Sequence, residues 1–256
     1  ASCMIVNGTG IRWLSGLLVS TSFVAHLAIF LMPGAMVSQI VQAMTITVMP
    51  AASAYQATQD YGILQELFLK TTRYVVVLVS AVLIAAILLI RAVLRLWIGP
   101  GYTFLDAYVL VNLAGVAVLL SASCAHHMLK GFGELRRVLL AYSVGLAGIP
   151  VAVFTAGMLI GKSPYVAVLA GLVLGNITAG IIQITACGRA VRMNMGKFLV
   201  RAYLQPLVPA AASLAFALGM IAATGWSSLG ARLVLAGLSV ILLFGGFYFV
   251  VAGDDE

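Results

Sequence analysis

The sequence predicts an all-α fold, a polytopic transmembrane helix bundle of about eight spans. Composition is the first reason: 63% of the residues are hydrophobic and 8% charged, with a mean hydropathy of +1.14, whereas soluble domains carry about 25% charged residues. The second is the length of the apolar runs. Tyr74 to Ile90 is seventeen residues without a formal charge, closed by Arg91 and Arg95 as at a headgroup boundary, and a run of that kind reads as a membrane span. The third is periodicity. Lipid cannot hydrogen-bond an open backbone, so spans are helices or a closed barrel, and runs of about 20 apolar residues without alternation select helices.

The chain opens on Ala1 with no charged leader region, so a fragment, or the C-terminal half of a longer protein, is expected. A first span is predicted over 11–32, with Trp13 as interfacial anchor and Pro33-Gly34 as its break. A second follows over 35–55, where Ser38, Gln42 and Thr45 fall on one face and so should meet protein or a wet cavity. Residues 56–71 read as a short interfacial amphipathic helix, with Tyr61, Leu64, Leu67 and Phe68 on one side and Glu66 four before Lys70. The third span covers 72–98 and the fourth 103–128, separated by the turn Gly99-Pro100-Gly101-Tyr102. The fifth, 138–160, contains Pro150 and should kink there. The sixth, 165–187, carries Gly171 and Gly175 at GxxxG spacing, with Asn176, Gly180 and Gln183 on another face. Spans seven and eight are expected over 202–224, with Pro206 and Pro209 near the start, and 230–251, before a polar tail Gly253-Asp254-Asp255-Glu256.

The net charge of +7 belongs to this topology rather than to nucleic acid, because the basic residues sit in turns between spans. With eight spans, one side holds ten of them (Arg12, Lys70, Arg73, Lys130, Arg136, Arg137, Arg189, Arg192, Lys197, Arg201) and the other four (Arg91, Arg95, Lys162, Arg232). The positive-inside rule then places both ends of the chain in the cytoplasm. Cys3, Cys124 and Cys187 are scattered, without metal or disulfide spacing, and read as small packing residues.

Pro50-Ala51-Ala52-Ser53 closes one span and Leu69-Lys70-Thr71-Thr72-Arg73-Tyr74 opens the next. The exit Leu94-Arg95-Leu96-Trp97-Ile98-Gly99-Pro100 and the turn Leu129-Lys130-Gly131-Phe132-Gly133 follow in order. In sequence and sidedness this set resembles the C-terminal half of a polysaccharide flippase of the multidrug/oligosaccharidyl-lipid/polysaccharide (MOP) exporter superfamily. The resemblance covers about residues 34–137 by motif and the rest by helix number and loop charge. It departs before the sixth span, where Gly161-Lys162-Ser163-Pro164-Tyr165 replaces a glycine-rich turn.

The resemblance implies a MOP-type transporter of two six-helix lobes around a cavity open alternately to each side. Residues 1–187 would be the C-terminal transport lobe and 188–256 two additional transmembrane helices; the N-terminal lobe would be missing from this chain or supplied by a partner lobe in trans. The implied substrate is a lipid-linked oligosaccharide on a polyprenyl diphosphate, for an O-antigen, lipopolysaccharide or exopolysaccharide, moved across a bacterial inner membrane among its lipids.

A diphosphate needs cations in a wet cavity. Lys70 and Arg73, at the mouth of the third span, are candidates to receive it, and positive-inside anchoring is the other reading. Arg91 and Arg95 either draw the diphosphate outward or snorkel. Ser38, Gln42 and Asn176 either meet sugar hydroxyls or hydrogen-bond between helices. Lys130, Arg136 and Arg137 read as a solvated face, His126-His127 as a polar patch or a proton relay, and His26 as a packed histidine.

Enzyme chemistry, cofactors and metals are not expected. No two of Asp60, Glu66, Asp106, Glu134 and the tail acids share a span, and no GxSxG, HExxH or phosphate-binding loop occurs. Two other readings stand beside the flippase. A multidrug cation antiporter would want an intramembrane carboxylate, and a membrane-embedded glycan-modifying enzyme would want convergent polar groups at one face.

Overall fold

The computed structural model describes residues 11–224 and 228–252. Cys3 and the tail acids Asp254, Asp255 and Glu256, like the N-terminal end whose side was inferred above, lie outside these residues. Every regular element among them is helical, and seven helices are long and apolar enough to cross a membrane. The chain is an integral, polytopic helix bundle by length and composition.

The elements are α1 (Ile11–Leu18), α2 (Thr21–Thr45), α3 (Val48–Ala57), α4 (Tyr61–Trp97), α5 (Asp106–Ser121), α6 (Ser123–Gly131), α7 (Leu135–Leu140), α8 (Ile149–Leu159), α9 (Pro164–Ala190), α10 (Met195–Leu199), α11 (Gln205–Thr224) and α12 (Leu229–Ala252). A 3-10 turn, Pro100–Leu105, leads into α5, and π-helical segments, Ala141–Gly148 and Val200–Leu204, lead into α8 and α11.

The first two expected spans are not separate. The break falls at Val19-Ser20, where the Ser20 hydroxyl accepts from the Phe23 N–H at 3.2 Å as an N-cap. The helix then runs through Pro33 to form, with α3, a single 37-residue candidate span, Thr21–Ala57. Pro33 removes only the N–H that the Ile29 carbonyl would accept. Beside that gap the Asn112 amide donates to the Phe30 carbonyl at 3.2 Å, and buried Phe30, Leu27 and Val37 hold the segment. Packing thus outweighs the proline.

The expected interfacial helix over 56–71 is likewise not a separate piece. Its amphipathic residues are the opening turns of α4, whose 37 residues reach about 55 Å at about 1.5 Å each, beyond a core about 30 Å thick.

Two compact units divide the chain: residues 11–68 with 111–193, and 69–110 with 194–224 and 228–252. In the first, α9 packs on α8 and the π segment before it. A Cβ on Gly171 would stand 2.8 Å from the Pro150 carbonyl oxygen, and one on Gly175 would run into the Gly145 carbonyl, so the GxxxG spacing is used for close approach as expected. Gly131 meets α3 in the same way, a Cβ there lying 2.6 Å from the Met49 carbonyl oxygen. Cys124 and Cys187 are buried, their sulfurs 3.8 and 3.9 Å from the Met128 sulfur.

The second unit is a three-helix seam. Val77, Ala81, Ile84 and Leu88 of α4 pack with Ala210 and Ala217 of α11 and with Ala236, Leu243 and Phe247 of α12. The repeats of three, four and seven place these residues on one stripe of each helix.

Both π segments precede a proline, and the pairing has a cause. In the first, the Ile149 N–H bonds to the Val144 carbonyl, five residues back. Gly145 then lacks both helical donors, since Ile149 is taken and Pro150 has no N–H. In the second, the Gln205 N–H bonds to the Val200 carbonyl, which leaves Arg201 facing Pro206 in the same way. Pro150 therefore widens the helix upstream, where the sequence led us to expect a simple kink.

Candidate functional site

A cavity of about 460 Å³ lies within the first unit. Ser38 and Gln42 of α2 form one wall, Asn112 of α5 and Asn176 and Gln183 of α9 another. Ser123, His126, His127 and Lys130 of α6 and Tyr142 of the π segment complete it, with Arg12 of α1. The local folding explains why these polar side chains converge. Asn176 and Gln183 are seven apart and so share a face of α9, away from its glycine contact. Ser123 and His127 are four apart on α6.

Polarity grades across the cavity. Gln39 and Gln42 are exposed, whereas Asn112, Asn176 and Gln183 are at most 4% exposed, which makes an accessible rim and a buried floor. Asn112 is oriented by its bond to Phe30, and its Oδ1 has no partner; the same holds for His127 Nδ1 and Gln183 Nε2. Buried polar atoms are nearly always hydrogen-bonded, so three lining side chains with a spare buried atom mark a place for water or a polar ligand. Ser38 is satisfied by the Gly34 carbonyl at 2.7 Å, and the Tyr142 hydroxyl lies 3.1 Å from the His126 ring nitrogens.

The cavity carries two permanent cations, Arg12 and Lys130, and none of its lining residues is acidic. The carboxylates among the described residues are elsewhere. Asp60 caps the Ile63 N–H at 3.1 Å, Asp106 accepts from Ala107 in the first turn of α5, and Glu134 pairs with Arg137 at 3.5 Å. Glu66 is exposed on α4. Among the described residues no three His, Cys, Asp or Glu side chains gather as metal ligands would.

Of the candidates read from sequence, Ser38, Gln42 and Asn176 come together here, although 138 positions separate the first and last. Lys70, Arg73, Arg91 and Arg95 belong to the second unit. Lys70 is exposed, and Arg73 is 7% exposed and held within its own unit. Arg73 Nε donates to the Arg201 carbonyl at 3.1 Å and its Nη2 to Gln205 Oε1 at 2.8 Å. It thus serves the carbonyl that the π turn and Pro206 deprive of helical donors. Arg91 and Arg95, one helical turn apart, are exposed beside Arg232.

By sequence Lys130 belongs to a solvated face, and Asn112, Gln183, Tyr142 and Arg232 are not among the site candidates. The signal for Asn112 was present: it shares a helical face with Ser123 and His127, all three lining the cavity. His26 is packed, as expected, its Nδ1 bonded to the Tyr165 hydroxyl and its ring stacked at 5.9 Å between centroids. Compared with family models, curated proteins and solved structures, the chain matches none of them.

Proposed function

We propose that the chain is the C-terminal part of a membrane transporter, a flippase that carries a polyprenyl-diphosphate-linked oligosaccharide from the cytoplasmic to the outer leaflet of a bacterial inner membrane. The observation that carries this reading is the acid-free polar cavity of the first unit. Its amides and hydroxyls suit sugar hydroxyls, and Arg12 and Lys130 suit a diphosphate. A membrane protein builds such a cavity at a cost, since each buried polar group without a partner costs about 1–3 kcal/mol. The sequence resemblance to the MOP superfamily points the same way, and its two-lobe scheme explains why the rim at Gln39 and Gln42 is exposed.

The antiporter reading needs a carboxylate held inside a span, whereas among the described residues Asp60, Asp106 and Glu134 sit at helix starts and Glu66 is exposed in the second turn of α4. Orientation follows from charge. Counting by the seven candidate spans, Lys70, Arg73, Lys130, Arg136, Arg137, Arg189, Arg192, Lys197 and Arg201 lie on one side, nine in all, against five (Arg12, Arg91, Arg95, Lys162, Arg232). The nine mark the cytoplasmic side, where α12 also ends.

The test is transport of a fluorescent polyprenyl-diphosphate oligosaccharide by the full-length gene product in liposomes. Wild type should move it, and Lys130→Ala/Asn176→Leu should slow it about 10-fold or more, the equivalent of one lost charge-assisted contact. Folded protein that moves no such lipid would sink the reading.

A further inference from the structure

A second cavity, of about 550 Å³, lies within the second unit and is lined by Arg91 and Arg95 of α4, Arg232 of α12 and Thr103, with Leu96 and Leu229 at its apolar side. Three guanidiniums gather with no acidic residue in the lining. Among the described residues none of the three has an ion pair or side-chain hydrogen bond, and Arg232 Nε is buried without a partner.

The arrangement is unfavourable as it stands. Like charges at i and i+4 repel, as Arg91 and Arg95 do. Arg232 occupies the first turn of α12, which holds no acidic residue, so a cation stands at the positive end of the helix dipole. An anion among them attracts each guanidinium and the helix N-terminus and so offsets both repulsions, and a planar fork of donors is the group that best fits a phosphate.

Orientation does not account for the cluster. Topogenic cations belong on the more basic side, yet three of the five basic residues on the poorer side converge on this cavity. Simple snorkelling does not account for it either, because snorkelling heads reach bulk water separately rather than converge across two helices.

We propose that Arg91, Arg95 and Arg232 form a site for the phosphate group of a membrane lipid. The rim identifies the source. Leu96 of the lining is 72% exposed and its chain neighbour Trp97, outside the lining, 54%, and exposed apolar and indole side chains at a span's end belong at the headgroup level. A lipid phosphate held there satisfies the three arginines while its acyl chains lie along the apolar helix surface. The proposal stands apart from the flippase reading and holds whatever the first unit carries.

The experiment uses the full gene product purified in detergent, with Kd measured for short-chain phosphatidic acid, phosphatidylcholine and inorganic phosphate. Three proteins are compared: wild type, Arg91→Gln/Arg95→Gln/Arg232→Gln, and a charge-matched control, Arg136→Gln/Arg189→Gln/Lys197→Gln. Wild type and control should bind phosphatidic acid alike, at least tenfold tighter than inorganic phosphate, and the arginine variant should lose at least tenfold. Equal loss in the control, or no loss in the arginine variant, overturns the site. Inorganic phosphate bound as tightly as the lipid overturns the lipid assignment. Should the triple variant fail to fold, Arg232→Gln with Arg232→Lys takes its place: the first should lose about tenfold and the second recover only part of it, and wild-type binding by both overturns the site.

Discussion

Arg73 shows how a residue's chemistry is decided by what it must satisfy. A guanidinium at the head of an apolar run has two readings, ligand for a diphosphate or anchor in the headgroups. In the structure its fork is committed to the Arg201 carbonyl and the Gln205 amide. Removing it leaves a carbonyl with neither helical nor side-chain donor, so Arg73→Ala should lower stability by about 1–3 kcal/mol. Arg73→Lys, lacking the fork, should restore only part of this; thermal unfolding of the two variants in detergent checks both. The floor of the cavity makes the opposite case. Asn112→Leu and Gln183→Leu each delete a buried atom without a partner. Gln183→Leu should raise the unfolding temperature while slowing the transport proposed above, a trade of activity for stability. Asn112→Leu also strips the donor from Phe30, so its gain should be the smaller. Lower stability in the glutamine variant would mean that its amide already has a partner.

Helices were legible in the sequence wherever a strong local signal met no competing contact. The turn at Gly99, where φ is +120°, and the end of α9 fell close to expectation for that reason. Pro33 misled because the worth of a proline depends on its surroundings, here the amide of a residue 79 positions on. Ser20-Thr21 was the readable start signal, hidden inside an apolar run. Neither π segment was announced by periodicity, since the extra residue only shifts the phase of the side-chain pattern, and few polar residues mark the faces on either side of it. At this scale glycine spacing has a sharp consequence. Gly175→Ala drives a Cβ into the Gly145 backbone and should cost more than about 2 kcal/mol or prevent folding. Gly219→Ala in α11 meets nothing within 4 Å and should be neutral or stabilising by up to about 1 kcal/mol. Expression and unfolding of the two variants side by side measure the contrast.

For the whole molecule, an all-helical membrane bundle was plain from composition and run length. The residues that share a cavity were not, because Ser38, Asn112, His127 and Asn176 meet through tertiary packing, of which single-chain periodicity records only which face of its own helix each occupies. Charge sidedness, by contrast, survives a miscount of one span. Fusing the first two expected spans moves only Arg12 out of the ten. Single cysteines at Gln59 and Lys162 should therefore react with impermeant thiol reagents from opposite sides, Gln59→Cys from the cytoplasm and Lys162→Cys from without. Labelling of both from one side would undo the seven-span topology.

The two wide turns ahead of Pro150 and Pro206 have one more consequence. Each winds in a residue more than an α turn would hold, like a spare link in a chain. Taking that link up would rotate the following segment by about 100° and draw it along its axis by about 1.5 Å. Tyr142 rides on the first of these loops and touches His126 across the cavity, and Arg73 grips the second at its open carbonyl. One residue of slack thus lies beneath one wall of the site, and at its counterpart a single arginine is bonded to the carbonyl that the slack leaves open.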